Sequence, residues 1–296
     1  MANQKPAIAT PLRTKAIVEA YDLNFKKSLG QNFLTNLTLL QKMVAVAEIG
    51  PDDDVIEIGP GIGALTEQLA QKARRVLALE VDQRLLPVLA ETLADYQNIT
   101  VLHQDILAAN LAELVEQYLP DHRQIKVVAN LPYYITSPII KSLLQQPVVL
   151  SVIVVMMQKE VAERLAAEPR TKAYGALSVL VQYQRKVELA LNVPKTSFVP
   201  QPKVDSAVIK LSQPIQEYPQ LIFPAAFSRV VQGCFLHRRK NLKNNLQSLC
   251  GKDETTKTKI LASLEYLQIL PTSRPEELTI SQFIELTNLL GKNNLL

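Results

Sequence analysis

Between residues 54 and 168 short apolar runs alternate with amphipathic stretches, and that alternation leaves few folds open. "DVIEIG" (54–59) has the look of a buried strand and "ALTEQLAQKA" (64–73) of a helix. "RVLALEVD" (75–82) is a second strand, followed by a helix over 83–96 that Pro87 restricts to its first turn. "NITVLHQD" (98–105) and "NLAELVEQYL" (110–119) repeat the pair. "IKVVAN" (125–130) precedes a helix over 137–146, with Ser137 placed to cap it and Pro138 at its first position. "VVLSVIVVMMQ" (148–158) and "KEVAERLAAE" (159–168) close the series. Strand–helix alternation of this kind predicts a mostly parallel sheet covered on both faces. "KVELALNV" (186–193) and "VDSAVIKL" (204–211) alternate instead like a closing antiparallel pair.

The pattern changes near "SQPIQEYPQ" (212–220), where prolines and polar residues mark a linker. Beyond it the periodicity is helical. Two domains are therefore expected, an α/β domain over 25–213 and a helical one over 214–296. Residues 1–24 carry Lys5, Arg13 and Lys15 without an apolar signal core. They are expected to form a mobile basic tail, with a short transit segment as the alternative, and secretion is not expected. The apolar run from Val148 to Met157 is too short to span a bilayer. Cys234 and Cys250 lie outside any metal-binding spacing, so neither a disulfide framework nor a metal site is expected, and a reducing cytoplasm fits. The formal net charge of +4 permits a nucleic-acid partner without requiring one.

The first strand runs into "EIGPGIGALT". Gly59, Gly61 and Gly63 let the backbone turn sharply and come close to a ligand, although a plain strand–helix turn uses glycine too. Glu80 ends the second strand about twenty residues later, where a carboxylate holds the two hydroxyls of a ribose. Asp105 ends the third strand, either accepting from an adenine amine or capping its own loop. Together the strand ends describe an adenosine site at the carboxyl edge of a parallel sheet. Gly59, Gly61 and Ala64 also satisfy a dinucleotide spacing. Glu57, beside the loop, suits an ammonium group better than a pyrophosphate, unless it is merely salt-bridged.

"NLPYY" (130–134) decides between these cofactors. An exocyclic adenine nitrogen is a weak nucleophile because its lone pair is delocalised into the ring. Two acceptors that take its hydrogens hold it in place and favour the pyramidal form. The Asn130 side-chain oxygen and the Leu131 carbonyl are candidates, Pro132 stiffens the loop, and the Tyr133 ring can stack on the base. Neither acceptor is a strong base, so the chemistry is positioning and electrostatics on an unstacked base, with S-adenosylmethionine as methyl donor. Tyr134 is assigned to packing. A hydride-transferring enzyme would leave "NLPYY" unexplained.

"NLPYY" and "EIGPGIGALT" resemble the ribosomal RNA adenine N6,N6-dimethyltransferases of the KsgA type. "KKSLGQNFL" (26–34), "SFVPQPKVDSAV" (197–208) and "HRRKNLKNNL" (237–246) resemble that family's cofactor-covering, second target-base and basic motifs, in the family's order. The resemblance implies a Rossmann-like class I methyltransferase with a seven-stranded sheet, its last strand pair inserted antiparallel, and a small helical C-terminal domain. It implies cofactor contacts from Asn32, Leu34, Gly59, Glu80, Asp105 and Asn130, with Glu57, Gly61 and Gly63 beside them. It further implies that Phe198 stacks on the target base opposite Tyr133, whereas from its surroundings alone Phe198 belongs in the core. The implied substrate is a pair of adjacent adenines in a hairpin loop near the 3′ end of small-subunit rRNA, in an immature subunit. Large-subunit rRNA methylases and non-catalytic assembly factors on the same fold are the alternatives.

Arg229, Arg238, Arg239, Lys240 and Lys243 fall in a stretch without an acidic residue. Such a run is often only a solvated helix face; on an RNA methyltransferase it binds phosphates, with Lys26, Lys27 and Lys203 extending the surface. A monomer is expected, since no apolar heptad or repeat is present.

Overall fold

The computed structural model describes residues 6–23, 31–214, 217–237 and 239–296. The chain divides into two compact units, residues 1–162 with 188–213, and residues 163–187 with 214–296.

The first unit opens with α1 (Pro11–Ala20), which Thr10 caps and Pro11 starts. The expected mobile tail is therefore incorrect for residues 6–23. Ile8 and Ala9 are fully buried, and the Ile8 N–H donates to Glu67 Oε2 at 2.9 Å. Next come β1 (Phe33–Leu34), α2 (Leu37–Val46), β2 (Asp53–Ile58), α3 (Ala64–Ala70) and β3 (Arg75–Glu80). A single 3₁₀ turn over Gln83–Leu85 then leads into α4 (Leu86–Thr92), with Pro87 in its opening turn. Pro87 thus does not confine the helix to one turn. At that position its missing N–H has no helical partner to lose, so α4 runs on past it. The chain continues through β4 (Ile99–His103), α5 (Leu111–Tyr118), β5 (Gln124–Asn130), α6 (Thr136–Gln145), β6 (Leu150–Gln158) and α7 (Lys159–Leu165). After α8 (Ala176–Gln182) come β7 (Lys186–Val193), β8 (Phe198–Val199) and β9 (Ser206–Ser212).

Seven strands form one sheet in the order β4-β3-β2-β5-β6-β9-β7. Strands β2 to β6 pair in parallel, and β9 runs antiparallel to β6. From β2 the chain winds outward to β3 and β4, then returns to place β5 on the other side. The β2–β5 gap is therefore the switch point of the sheet, where such folds open a crevice beyond the strand carboxyl ends. β1 and β8 make a separate antiparallel ribbon, with Phe33 opposite Val199 and Leu34 opposite Phe198.

Strand β2 is buried along its whole length, yet it carries Asp53, Asp54 and Glu57. Asp54 is held by two Arg75 nitrogens, Nε at 3.0 Å and Nη2 at 2.9 Å, and Asp53 by Lys126 Nζ at 2.8 Å. A buried acid without such a partner is costly, which makes the third one informative.

Apart from the first two residues of β7, the regular structure among the described residues of the second unit is helical. Residues 163–187, expected in the α/β domain, pack here: Tyr174 and Val179 share a core with Phe227, Leu246, Ile260 and Phe283. Their apolar side chains find that core only in three dimensions, so the composition break at the linker marks one crossing of the chain between units and misses the two earlier ones. The remaining helices are α9 (Pro224–Cys234), α10 (Leu242–Cys250), α11 (Glu254–Tyr266) and α12 (Ile280–Lys292).

Candidate active site

A cleft sits over the switch point, lined by residues 31–34, the glycine loop, the end of β3 and residues 130–135. The cleft is partly open to solvent.

The glycine loop shapes one wall. Gly59 and Gly61 have φ of +70° and +63°, conformations that strain other residues. All three glycine N–H groups already have acceptors: Leu79 O for Gly59, Glu80 Oε2 for Gly61 and Pro60 O for Gly63. The Glu80 carboxylate ends β3 and takes the Gly61 N–H at 3.1 Å and the Asp82 N–H at 2.8 Å. It is 4 % exposed, and burial raises its pKa against the opposing effect of those N–H groups. Asp82 carries the network outward. Its carboxylate is held near pKa 2, chiefly by Arg84, and also accepts from Gln31 Nε2 at 2.9 Å.

Glu57 lies in the cleft floor, 1 % exposed, and its Oε2 has no hydrogen-bond partner among the described residues. Burial pushes its pKa up to about 8; the Thr66 hydroxyl pulls the other way and the Glu80 charge adds to the rise. An orphaned buried acid is a group prepared for a cation. With the glycine N–H groups already engaged, the loop offers a pyrophosphate no free donors, while Glu57 and Glu80 offer acceptors suited to an ammonium group and a ribose.

The opposite wall is the lip after β5. The Leu131 N–H donates to Met156 O at 3.0 Å, so strand pairing runs one residue past Asn130 and holds the lip to the sheet. Asn130 Nδ2 donates to the Asn32 carbonyl at 3.3 Å, which leaves its Oδ1 as the acceptor. Among the described residues neither Asn130 Oδ1 nor the Leu131 carbonyl receives a hydrogen bond. Tyr133 opens a 3₁₀ turn over Tyr133–Ile135, and α6 follows directly with Thr136 as its first residue. Ser137 is therefore not the cap, and Pro138 stands third in the helix. The turn moves the helix start forward, and Thr136 Oγ1 ties back to the Pro132 carbonyl at 3.1 Å. Tyr134 is 55 % exposed and lines the cleft, which corrects its assignment to packing.

Asn32, Leu34, Gly59, Gly61, Glu57, Glu80, Asn130, Leu131, Pro132 and Tyr133 are thus brought together. Three expected residues are not among those lining the cleft. Gly63 caps α3 at φ +92°, against the Leu93 side chain. Asp105 is exposed and its Oδ1 takes the Leu107 N–H at 2.9 Å, the loop-capping alternative. Phe198 is 3 % exposed in the core beside Phe33 and Leu34, the packing position its surroundings favour. Paired on the β1–β8 ribbon it is drawn inward, so in this structure it offers no face to a base.

In the second unit the described residues of the basic segment lead into α10. Arg229, Arg239 and Lys240 are exposed and Lys243 is half-buried; Lys203, in the first unit, is exposed. Lys26, Lys27 and Arg238 lie outside the described residues. Asn245, fully buried and absent from the sequence-based candidates, takes the His237 N–H at 3.0 Å. It gives its own amide hydrogens toward the carbonyls of His237, Lys240 and Asn241. One side chain thereby ties His237, Lys240 and Asn241 to the start of α10, beside the exposed Arg239 and Lys240. The only local signal for it is an asparagine inside an otherwise helical period.

Among the described residues no group of His, Cys, Asp and Glu could hold a metal ion, and no helix is long and apolar enough to cross a membrane.

A mostly parallel sheet of this strand order, with an acid-lined cleft at its switch point, defines a Rossmann-like methyltransferase fold. Comparison then makes the assignment particular: the model described as "Ribosomal RNA adenine dimethylase" matches residues 22–292, and the chain belongs to that family. It is 57% identical, over all of both chains, to a ribosomal RNA small subunit methyltransferase A of Lactiplantibacillus plantarum. It is 56% identical, over 99% of both chains, to the protein of the same name from Ligilactobacillus salivarius. The crystal structure of a dimethyladenosine transferase from Plasmodium falciparum aligns with TM-score 0.72 and 27% identity, covering 89% of this chain and 98% of that one. The 23S rRNA methyltransferase ErmE aligns with TM-score 0.65 and 28% identity, covering 88% of this chain and 100% of that one.

Proposed function

We propose that this protein is an S-adenosylmethionine-dependent adenine N6,N6-dimethyltransferase of ribosomal RNA. Its target is two adjacent adenines in the 3′-terminal hairpin loop of small-subunit rRNA, in an immature subunit. The observation that carries this is the Asn130 amide, which lines the cleft and whose N–H is tied to the Asn32 carbonyl, leaving its oxygen to accept.

Bound S-adenosylmethionine supplies an electrophilic methyl group on a sulfonium. Glu57 and Glu80 hold its ammonium and ribose ends, and Leu34, Ile62, Leu65 and Leu85 give the apolar remainder of the cleft. Asn130 Oδ1 and the Leu131 carbonyl accept the two hydrogens of the adenine amine and orient its lone pair. Tyr133 supports the base from its face. No strong base is at hand, so the proton leaves late, to solvent. After one transfer the amine still has one N–H to donate, and the same acceptors serve the second.

The exposed cations of the basic loop bind phosphates and orient the RNA without reading its sequence. Identity to two small-subunit methyltransferases of 56% and 57%, against 28% to the large-subunit enzyme, favours the small subunit. Part of the same reading is that the protein acts in the cytoplasm, as a monomer.

The test is transfer from labelled S-adenosylmethionine to small and large subunits from cells lacking the modification, followed by nucleoside analysis. N6,N6-dimethyladenosine in small-subunit RNA is expected. Label only in large-subunit RNA would move the protein to the other substrate. Intact subunit binding without transfer would make it an assembly factor.

A further inference from the structure

Tyr133 carries a hydroxyl that base stacking does not need. That hydroxyl lies 2.6 Å from Ser206 Oγ. Ser206 is fully buried and opens β9, with its Cα opposite Gln158 of β6. Its neighbour Asp205 is fixed on both sides: the carbonyl takes the Lys159 N–H at 3.0 Å, and Oδ1 takes the Lys195 N–H at 2.9 Å. Ser206 is therefore a stationary post. Tyr133, by contrast, stands on a single 3₁₀ turn at the rim of an open cleft, with its ring only partly buried.

We infer that Ser206 is a positioning residue for methyl transfer: its hydroxyl holds the Tyr133 ring at the angle from which it supports the target base. A ring tethered at its far end keeps one orientation, whereas a tyrosine or phenylalanine without the tether pivots about its side-chain torsions, which are soft at the ring. The tether acts on the geometry of the reacting base and not on the cofactor, since neither hydroxyl lies among the groups that hold the cofactor. It also explains the run "VDSAV": the serine faces the lip while the apolar residues after it enter the sheet. This inference rests on Tyr133 stacking against the base.

The test is a double-mutant cycle on unmodified small subunits, with kcat, cofactor affinity and melting temperature read for each variant. Ser206→Ala and Tyr133→Phe remove one hydroxyl each and leave the ring in place. Each is expected to lower kcat about threefold to tenfold, the scale of one lost hydrogen bond, with cofactor affinity unchanged. The double variant should lose no more than the worse single variant. Losses that multiply in the double variant, or lowered melting temperatures with kcat unchanged, would overturn the tether. Tyr133→Leu, which removes the ring, reports on stacking separately. Loss of transfer there with a multiplicative cycle would sink the tether alone; retained transfer would sink both.

Discussion

Three acidic side chains are buried on β2, and among the described residues Glu57 is the one with an oxygen left unpartnered. Its pKa of about 8 stands above the ordinary 4.5, so between those values the folded protein keeps a proton the unfolded chain has lost. Stability should therefore fall as pH rises from about 4.5 to about 8 and level off above. A bound ammonium favours the carboxylate, so cofactor binding at pH 7 should expel a proton, and affinity should climb until the pH passes about 8. Calorimetry in buffers of different ionisation enthalpy measures that proton directly. Glu57→Gln should abolish both the release and the pH dependence; absence of release in the unaltered protein would separate Glu57 from the cofactor. Glu57 was legible as an acid beside a glycine loop. Its isolation was not, because Asp53 and Asp54 on the same strand look equally acidic and are neutralised by Lys126 and Arg75, partners distant in the chain.

At the scale of elements, the glycine loop separates two effects. A Cβ on Gly59 meets nothing within 4 Å, while one on Gly61 would stand 2.9 Å from the Phe33 ring. Both substitutions carry a backbone strain of about 1 kcal/mol from positive φ. Gly61→Ala adds a clash with the segment whose Asn32 carbonyl orients Asn130, so it should cost more melting temperature and lower kcat as well. Gly59→Ala should act mainly on cofactor affinity, since its methyl group enters open space along the cleft. Thermal melts and cofactor titrations of the two variants distinguish these outcomes, and equal losses in both would contradict the geometry. The strands and helices of the sheet were legible because burial on both faces writes continuous apolar runs and amphipathic periods. The docking of α1 was not: it depends on Ile8 meeting Glu67 across 59 residues, and no local period records such a pairing. The start of α6 was misplaced for a similar reason. Ser-Pro reads as cap and first position, and the 3₁₀ turn of the lip overrides it.

At the scale of the molecule, each unit has its own apolar core and its own chemistry: a cleft with two buried acids in the first, an exposed basic loop clamped by Asn245 in the second. Among the described residues Arg229, Arg239, Lys240 and Lys243 make no ion pair, so their charge is available to phosphates. Replacing Arg239 and Lys240 by Gln should weaken subunit binding at low salt and reduce the slope of log affinity against log salt by about 1 to 2. An unchanged slope would place the RNA elsewhere. The linker was legible from composition, but the return of residues 163–187 to the helical unit was not, because nothing in their composition departs from the α/β pattern around them. The proposed methyl transfer depends on one amide oxygen, that of Asn130. Its most direct test is Asn130→Ala assayed on unmodified small subunits by nucleoside mass spectrometry, with subunit binding measured in parallel. Loss of N6,N6-dimethyladenosine with binding retained is the predicted result; retained transfer, or loss of binding equal to the loss of transfer, would contradict it.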